Sequence, residues 1–369
     1  MPMARVAFLL PDLSGGGAEN MIIRLAGGMV RRGLQAHLIL GRVAGPYLAR
    51  LPRGVIIHDL GGGVLMAKIP RIARILARIG CDGLIATLPH ANLAATLAIF
   101  LNGQRQVLIL REANDPIIAS RHAQGWSKRL AYRLIPLTHR LADSVVCISR
   151  GVAKSLRTGF GIPMHKLQVI YNPALDDDTQ RLAAETPEHA WCSDGGPPVY
   201  IAVGRLETQK GFDVLIRAFA LIAEQRPMRL LILGEGPLRA ELEAQIRAAG
   251  LGDRVAMPGF VANTLACMRQ AAVFVLSSRW EGLGNVVIEA LAAGTRVVAT
   301  DCRSGPREIL AAGQFGTLVP VDDAQALGAA MLAALDLDPG DPASLPQHLR
   351  QFTVDHAVTA YLQALNTHA

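Results

Sequence analysis

The chain is poor in cysteine, in aromatic residues and in long apolar runs. Its 369 residues hold five cysteines, at 81, 147, 192, 267 and 302, an odd number spread far apart with no C-x-x-C pair. That argues against a disulfide framework and against a zinc site, and it fits a reducing cytosol. Aromatics make up only 5%, which leaves few platforms for stacking single-stranded nucleic acid. No stretch reaches the ~18 consecutive apolar residues of a membrane-spanning helix. The opening MPMARVAFLLPD has a short apolar run that stops at Pro11; it is too short for a secretory signal and reads as a first strand. No repeat of about 20–50 residues is visible.

What is present points to an α/β protein. Hydrophobic residues make up 51%, and strand-like apolar runs alternate with helix-like segments. The length suits about two domains of ~150–200 residues. Charge divides the chain: residues 1–172 carry 22 Lys/Arg and 7 Asp/Glu, a net of +15, and residues 173–369 carry 15 and 23, a net of −8. A half so basic is suited to an anionic partner: a membrane surface, a phosphate-bearing substrate or nucleic acid. The division falls at a Pro-, Asp-, Gly- and Ser-rich stretch, YNPALDDDTQRLAAETPEHAWCSDGGPP, with no sustained apolar period. It reads as a linker or surface excursion. Its Asp176–Asp178 triplet lacks a supporting ligand pattern and reads as a solvated loop. The expected divisions are a first domain over 1–172, a linker over 173–197, a second domain over 198–350 and a C-terminal helix over 351–369.

Each half opens with a strand, a glycine-containing loop and a helix. In the first, Val6–Leu10 form the strand, Ser14–Gly17 the loop, and a helix follows to about Arg32 with Gly33 as its cap. Gly15, Gly16 and Gly17 would let backbone N–H groups approach an anion at the helix N-terminus, although such a loop also serves simply to pack helix on strand. The spacing is not G-x-G-x-x-G, and no acidic residue closes the second strand, so a nicotinamide cofactor is disfavoured. In the second, a strand ends at Val203, the loop 204–211 carries Arg205 and Lys210, and a helix starts near Phe212. Two cations at the carboxyl edge of a parallel sheet suit a diphosphate. A third loop, RWEGLGN, follows the strand AVFVLSS and enters a helix near Asn285. Glu281 stands on this loop. Glu289 stands in the helix among Val286, Val287, Ile288, Ala290 and Leu291, where a carboxylate needs strong hydrogen bonds.

Together these features resemble retaining glycosyltransferases of the GT-B class, specifically family 4 (group 1), including bacterial members that build polysaccharides and lipid-linked oligosaccharides. Glu281 and Glu289 have the family's E-x7-E spacing. The loop at 15–17 followed by AEN is similar to its N-terminal donor loop; DSVVCISRGVAKSL and KLQVIYNP resemble its interdomain segment. GRLETQKGFDVLIRAF resembles its phosphate loop, LGEGPLRAEL and MPGF its base-binding loops, and DCRSGPREIL a run seen in the bacterial members. The resemblance spans nearly the whole chain. It implies two doubly wound Rossmann-like domains facing a central cleft, with a C-terminal helix crossing back to the first.

It also implies roles. Glu289 would bind ribose hydroxyls and Glu281 the transferred sugar. Gly282, Leu283, Gly284 and Asn285 would offer amides, and Arg205 and Lys210 would hold the diphosphate. Gly234, Gly236, Pro258, Gly259 and Phe260 would complete the donor pocket. Stabilising the departing diphosphate with cations and a helix N-terminus requires no metal, and no D-x-D motif is found in a convincing loop. The donor expected is a UDP-sugar, with no cofactor. The first half would hold the acceptor, through His90 and Asn92 of TLPHAN and Arg111, Glu112 and Asn114 of VLILREAND. Related enzymes often carry EHN at the second segment. Here Ala113 stands at the apparent His position, so that contact is missing or is supplied by Glu112 or His90.

The segment VLMAKIPRIARILARIG alternates a basic stripe, at Lys68, Arg71, Arg74 and Arg78, with an apolar stripe at 69, 72, 76 and 79. It reads either as a helix packed on the sheet with a solvated basic face or as a membrane-facing surface, which WSKRLAYRLIPLTHR would extend. The expectation is a cytoplasmic protein, peripheral on the cytoplasmic membrane face, moving sugar to a lipid-linked or polysaccharide acceptor. The alternatives are a sugar-nucleotide 2-epimerase of the same fold and a nucleic-acid-binding protein using the basic half.

Overall fold

The computed structural model describes residues 5–14, 16–121, 125–336 and 345–368. The chain divides into two compact units, residues 1–174 with 351–369, and residues 175–350.

The first unit holds strands β1 (Arg5–Leu10), β2 (Gln35–Leu40), β3 (Ile56–Asp59), β4 (Gly83–Thr87), β5 (Val107–Glu112), β6 (Ser144–Cys147) and β7 (Leu167–Val169), in the order β3-β2-β1-β4-β5-β6-β7. Every pairing is parallel. Helices α1 (Gly17–Arg31), α2 (Ile69–Ile79), α3 (Pro89–Asn102), α4 (Pro116–Arg121), α5 (Trp126–Arg133), α6 (Ile135–Leu141) and α7 (Arg150–Phe160) connect the strands. Runs such as VAFLL and GLIAT are buried throughout, because helices cover both faces of the sheet. α2 buries Ile72, Leu76 and Ile79 and leaves Arg71, Arg74 and Arg78 exposed.

The second unit has a six-stranded parallel sheet ordered β10-β9-β8-β11-β12-β13. In chain order it contains α8 (Thr179–Ala183), β8 (Val199–Val203), α9 (Phe212–Ile222), β9 (Arg229–Leu233), α10 (Arg239–Ala248), β10 (Val255–Gly259), α11 (Thr264–Gln270), β11 (Val273–Leu276), α12 (Asn285–Ala292), β12 (Arg296–Thr300), α13 (Pro306–Ile309), β13 (Thr317–Val319), α14 (Ala324–Asp336) and α15 (Leu345–Leu349). Its core includes Tyr200, Phe219 and Met331; the buried Tyr200 hydroxyl donates to the Met331 carbonyl at 3.0 Å.

Two segments join these units as packed structure. The segment 173–197 reads from sequence as a linker, and from Leu175 onward it is folded onto the second unit. Leu175, Thr179, Ala183 and Cys192 are buried, and Asn263 Nδ2 donates to the Leu182 carbonyl at 2.8 Å. The last helix, α16 (Val354–Asn366), packs on α1 of the first unit. Gly28 lets it approach: a Cβ there would lie 2.5 Å from a Val354 methyl. Arg32 clamps the contact, donating to the Asp355 carbonyl at 2.7 Å and Thr359 Oγ1 at 2.8 Å.

Candidate functional site

In the second unit the loops after β8, β9, β10, β11 and β12 gather at the carboxyl edge of the sheet, where parallel sheets bind ligands. Lys210 and Glu281 meet there. Lys210 Nζ lies 2.6 Å from Glu281 Oε1, and Ser278 Oγ donates to the same oxygen at 2.7 Å. Their side chains are 19% and 7% exposed, so the charges interact out of bulk water, where an attraction is stronger than at the surface. The Lys210 stem lies across Gly204: a Cβ there would sit 3.2–3.3 Å from three of its carbons.

Backbone ties hold the two loops together. Ser277 Oγ donates to the Lys210 carbonyl at 2.8 Å, Gln209 Nε2 to the Trp280 carbonyl at 2.9 Å, and the Arg279 amide to the Gln209 carbonyl at 2.8 Å. The Arg279 guanidinium forks onto Asp213 at 2.9 and 2.7 Å. Burial alone would raise the Asp213 carboxyl, but the Arg279 hydrogen bonds and charge outweigh it and hold it below the usual range. Gly211 has φ 61°, and a Cβ on it would lie 2.2 Å from the Ser277 carbonyl oxygen, so only glycine permits this approach.

The remaining second-unit residues surround this pair. Gly234 and Gly236 back onto the β8 loop, where a Cβ would meet the Gly204 and Leu206 carbonyl oxygens at 2.0 and 2.5 Å. The Gly234 amide donates to the Gly259 carbonyl at 2.8 Å, next to the exposed Pro258. The Phe260 ring is 72% exposed. Gly282 and Gly284 are buried; the Leu283 side chain is buried too, so only its backbone could face a ligand. Gly284 is the N-cap of α12, with φ 94° and no capping side chain, and Asn285 begins the helix. Glu289 is half-buried on α12. Arg205 points outward, 72% exposed, and pairs with Glu207 at 2.9 Å.

The first unit treats its expected residues differently. Gly15 lies outside the described residues. Gly16 caps α1, and a Cβ there would run into the Glu19 carboxylate, so an acidic side chain already faces this helix N-terminus. Gly17 begins α1. His90 is partly buried in the first turn of α3. Burial and the Lys128 ammonium push its imidazole below the ordinary value, against a smaller opposing pull from Asp12. Asn114 is partly buried, and its side-chain oxygen accepts the Asp115 amide at 3.0 Å.

Asn92, Arg111 and Glu112, expected on an acceptor-facing loop, are internal. They are 1%, 2% and 3% exposed. Arg111 is in register with Thr87 and Glu112 with Cys147, so β5 is still flanked by neighbours where these polar residues occur. Arg111 donates to Thr87 Oγ1 at 2.9 Å and Asn172 Oδ1 at 2.6 Å. Burial pushes its guanidinium down, and a hydrogen bond and charge at Tyr361 of α16 oppose that. On the opposite face Glu112 Oε1 accepts from Asn92 Nδ2 at 3.0 Å and lies 3.0 Å from His139 Nε2. With every described partner inside the unit, these three tie β5 to β4, α3, α6 and α16.

Comparison with known proteins separates the same two halves. Residues 15–175 match the profile of Glycosyltransferase Family 4, and residues 188–352 that of Glycosyl transferases group 1. The lipopolysaccharide core biosynthesis glycosyltransferase LpsE of Rhizobium meliloti is 30% identical over 324 residues, 86% of this chain and 84% of its own. The chain belongs to the group 1, family 4 glycosyltransferases. An N-acetylgalactosamine-N,N'-diacetylbacillosaminyl-diphospho-undecaprenol 4-alpha-N-acetylgalactosaminyltransferase of Campylobacter jejuni is 28% identical over 347 residues, 91% of each chain. The crystal structure of Anabaena Alr3699/HepE in complex with UDP and glucose superposes with a TM-score of 0.81 at 20% identity, covering 98% of this chain and 99% of that one. At that identity the likeness speaks to the fold, which in this glycosyltransferase is GT-B.

Several residues of these two clusters give no signal in the sequence. Ser278 hides as one of two serines closing β11. Gln209 and the Arg279–Asp213 pair act across loops 71 and 66 residues apart, a separation at which no local period gives a signal. His139 of α6 and Tyr361 of α16 reach β5 only through the tertiary fold.

Proposed function

We propose that this glycosyltransferase moves a hexose or N-acetylhexosamine from a UDP-sugar to a lipid-linked or polysaccharide acceptor, with retention of configuration and without a metal ion. The observation that carries the reading is the Lys210–Glu281 pair, 2.6 Å apart on loops that meet beside the start of α12. A departing diphosphate would be met by Lys210, by the more exposed charge of Arg205, and by amides of Gly282–Asn285 at the helix N-terminus. Glu281 would then turn one oxygen to the transferred sugar, Glu289 would accept from the ribose hydroxyls, and Phe260 would lie against the base, with Gly234, Gly236, Pro258 and Gly259 around it.

Retention follows from attack on the face the diphosphate leaves. The bond from the anomeric carbon to the phosphate oxygen breaks, the acceptor oxygen bonds to that carbon, and the acceptor's proton passes to the departing phosphate oxygen. No side-chain nucleophile is needed. On the acceptor side His90, biased toward its neutral form, and Asn114 remain at the carboxyl edge of the first unit. The acceptor reading draws on the Campylobacter relative, whose name specifies a diphospho-undecaprenol substrate. The donor reading draws on the UDP-glucose complex of Anabaena Alr3699/HepE.

No helix among the described residues is long and apolar enough to cross a membrane. Peripheral attachment to an anionic membrane would use the basic first half, including Arg74 and Arg78 of α2. Incubation with a panel of UDP-sugars and lipid extract tests the proposal. The expected product carries the donor's anomeric configuration by NMR and forms equally in EDTA. Inversion at the anomeric carbon, a C2-epimerised nucleotide sugar, or magnesium-dependent rescue from EDTA would each contradict it.

A further inference from the structure

Large exposed apolar side chains concentrate on one part of the first unit. Leu97, Phe100 and Leu101 fall at i, i+3 and i+4 on α3 and share a face; Phe100 is 64% and Leu101 59% exposed. Leu137 and Leu141 are likewise one turn apart on α6, and Leu130 is exposed on α5. α3 packs against both α5 and α6, and it leads into β5 as α6 leads into β6, its hydrogen-bonded neighbour. The ends of α3 and α6 therefore reach the same edge of the sheet side by side.

The charge around these side chains is predominantly positive, with Asp82 and Asp143 the carboxylates at the starts of the neighbouring strands. Between Asp82 and Asp143 the only carboxylates are Glu112 and Asp115, and both are buried. The same stretch exposes Arg105, Arg121, Lys128, Arg129, Arg133 and Arg140. α2, packed against α3, adds exposed Arg74 and Arg78. An apolar crest surrounded by cations fits an interfacial surface: leucine and phenylalanine enter the boundary between headgroups and acyl chains, and guanidinium groups meet lipid phosphates. A second copy of this face would cover the leucines but bring like charges together.

We infer that the α3–α5–α6 face of the first unit inserts into the surface of an anionic bilayer, with Phe100, Leu101, Leu137 and Leu141 entering the acyl boundary. The inference rests on the lipid-linked acceptor reading and goes beyond attachment by charge alone. Salt screens exposed charges to about 3 Å at 1 M but leaves apolar burial in place. Attachment should therefore outlast high salt.

The test is co-sedimentation with vesicles of phosphatidylcholine and phosphatidylglycerol across a salt series. The wild type should stay bound at high salt. The variant F100Q/L101Q/L137Q/L141Q should lose at least about tenfold in binding there, and R74Q/R78Q/K128Q/R133Q should lose binding mainly at low salt. A single Leu101→Trp reporter should be quenched by lipids brominated on the acyl chain. Equal sedimentation of the wild type and the apolar variant, or no quenching, would overturn the inference. So would a wild-type dimer that dissociates in the apolar variant and ignores vesicles, since a second copy then covers the face. The assay contains no donor or acceptor sugar. Transfer measured in detergent micelles tests the enzymatic reading separately, so either can fail alone.

Discussion

Each unit places a cation and a carboxylate near the carboxyl end of central strands, Arg111 and Glu112 in the first and Lys210 and Glu281 in the second, yet the two pairs do different work. β5 remains paired with β4 and β6 at Arg111 and with β6 at Glu112, so their side chains project into covered faces and end in Thr87, Asn172, Asn92 and His139. Lys210 and Glu281 stand past the ends of β8 and β11, on loops, and hold each other at 2.6 Å. Residue type does not separate these cases. What separates them is whether the strand has ended, and that depends on its neighbours rather than its own sequence.

The largest expected effect breaks the second-unit pair. Lys210→Ala should lower turnover by about 10²–10³, the usual effect of removing a donor aimed at developing charge. Arg205→Ala should cost less, because the side chain is 72% exposed and more easily replaced by water. Donor consumption under saturating acceptor measures both.

The mirror experiment in the first unit should be read in stability. Arg111→Ala leaves the Thr87, Asn172 and Tyr361 oxygens without their buried donor, and the first unit should lose about 3–5 kcal/mol. Calorimetry would show it as a lowered transition for that unit, with the Michaelis constant for donor unchanged in protein that remains folded. A raised Michaelis constant at unaltered stability would return Arg111 to the binding site.

The smallest effect sharpens the contrast through pH. His37 of β2 and His58 of β3 stack, with Nδ1 and Nε2 3.0 Å apart. Burial, the His58 ring and Arg5 push His37 down, and burial and Arg78 push His58 down. The unfolded chain therefore binds protons that the folded unit resists. This cost is absent well above about pH 6.5, and stability should fall as pH drops from there toward the lower folded values, by at most about 1.4 kcal/mol per pH unit for each imidazole. His37→Gln should flatten that slope in chemical denaturation between pH 5 and 7.

Much of this was legible in the sequence. The two strand–loop–helix openings and the basic and acidic halves mark the two units, while the contact of Lys210 with Glu281 appears only in the fold. Arg111 and Glu112 are internal although polar residues after an apolar run look like a strand end, because β6 and α16 still cover them. Residues 175–197 lack a period because they fold as short pieces, Leu175, Ala183 and Cys192 docking singly on the second unit. In the glycine loop, Glu19 follows one turn after Gly16, a spacing at which a carboxylate can reach back to its own helix N-terminus.

In the proposed function, second-unit loops hold the nucleotide and the polar cluster of β5 is internal support. Titration of UDP into wild type, Glu289→Ala and Glu112→Gln tests it most directly. UDP should bind Glu289→Ala more weakly, by about 1.5–3 kcal/mol or roughly 10–150-fold, and folded Glu112→Gln with wild-type affinity. Wild-type affinity in Glu289→Ala, or an equal loss in Glu112→Gln, would contradict it.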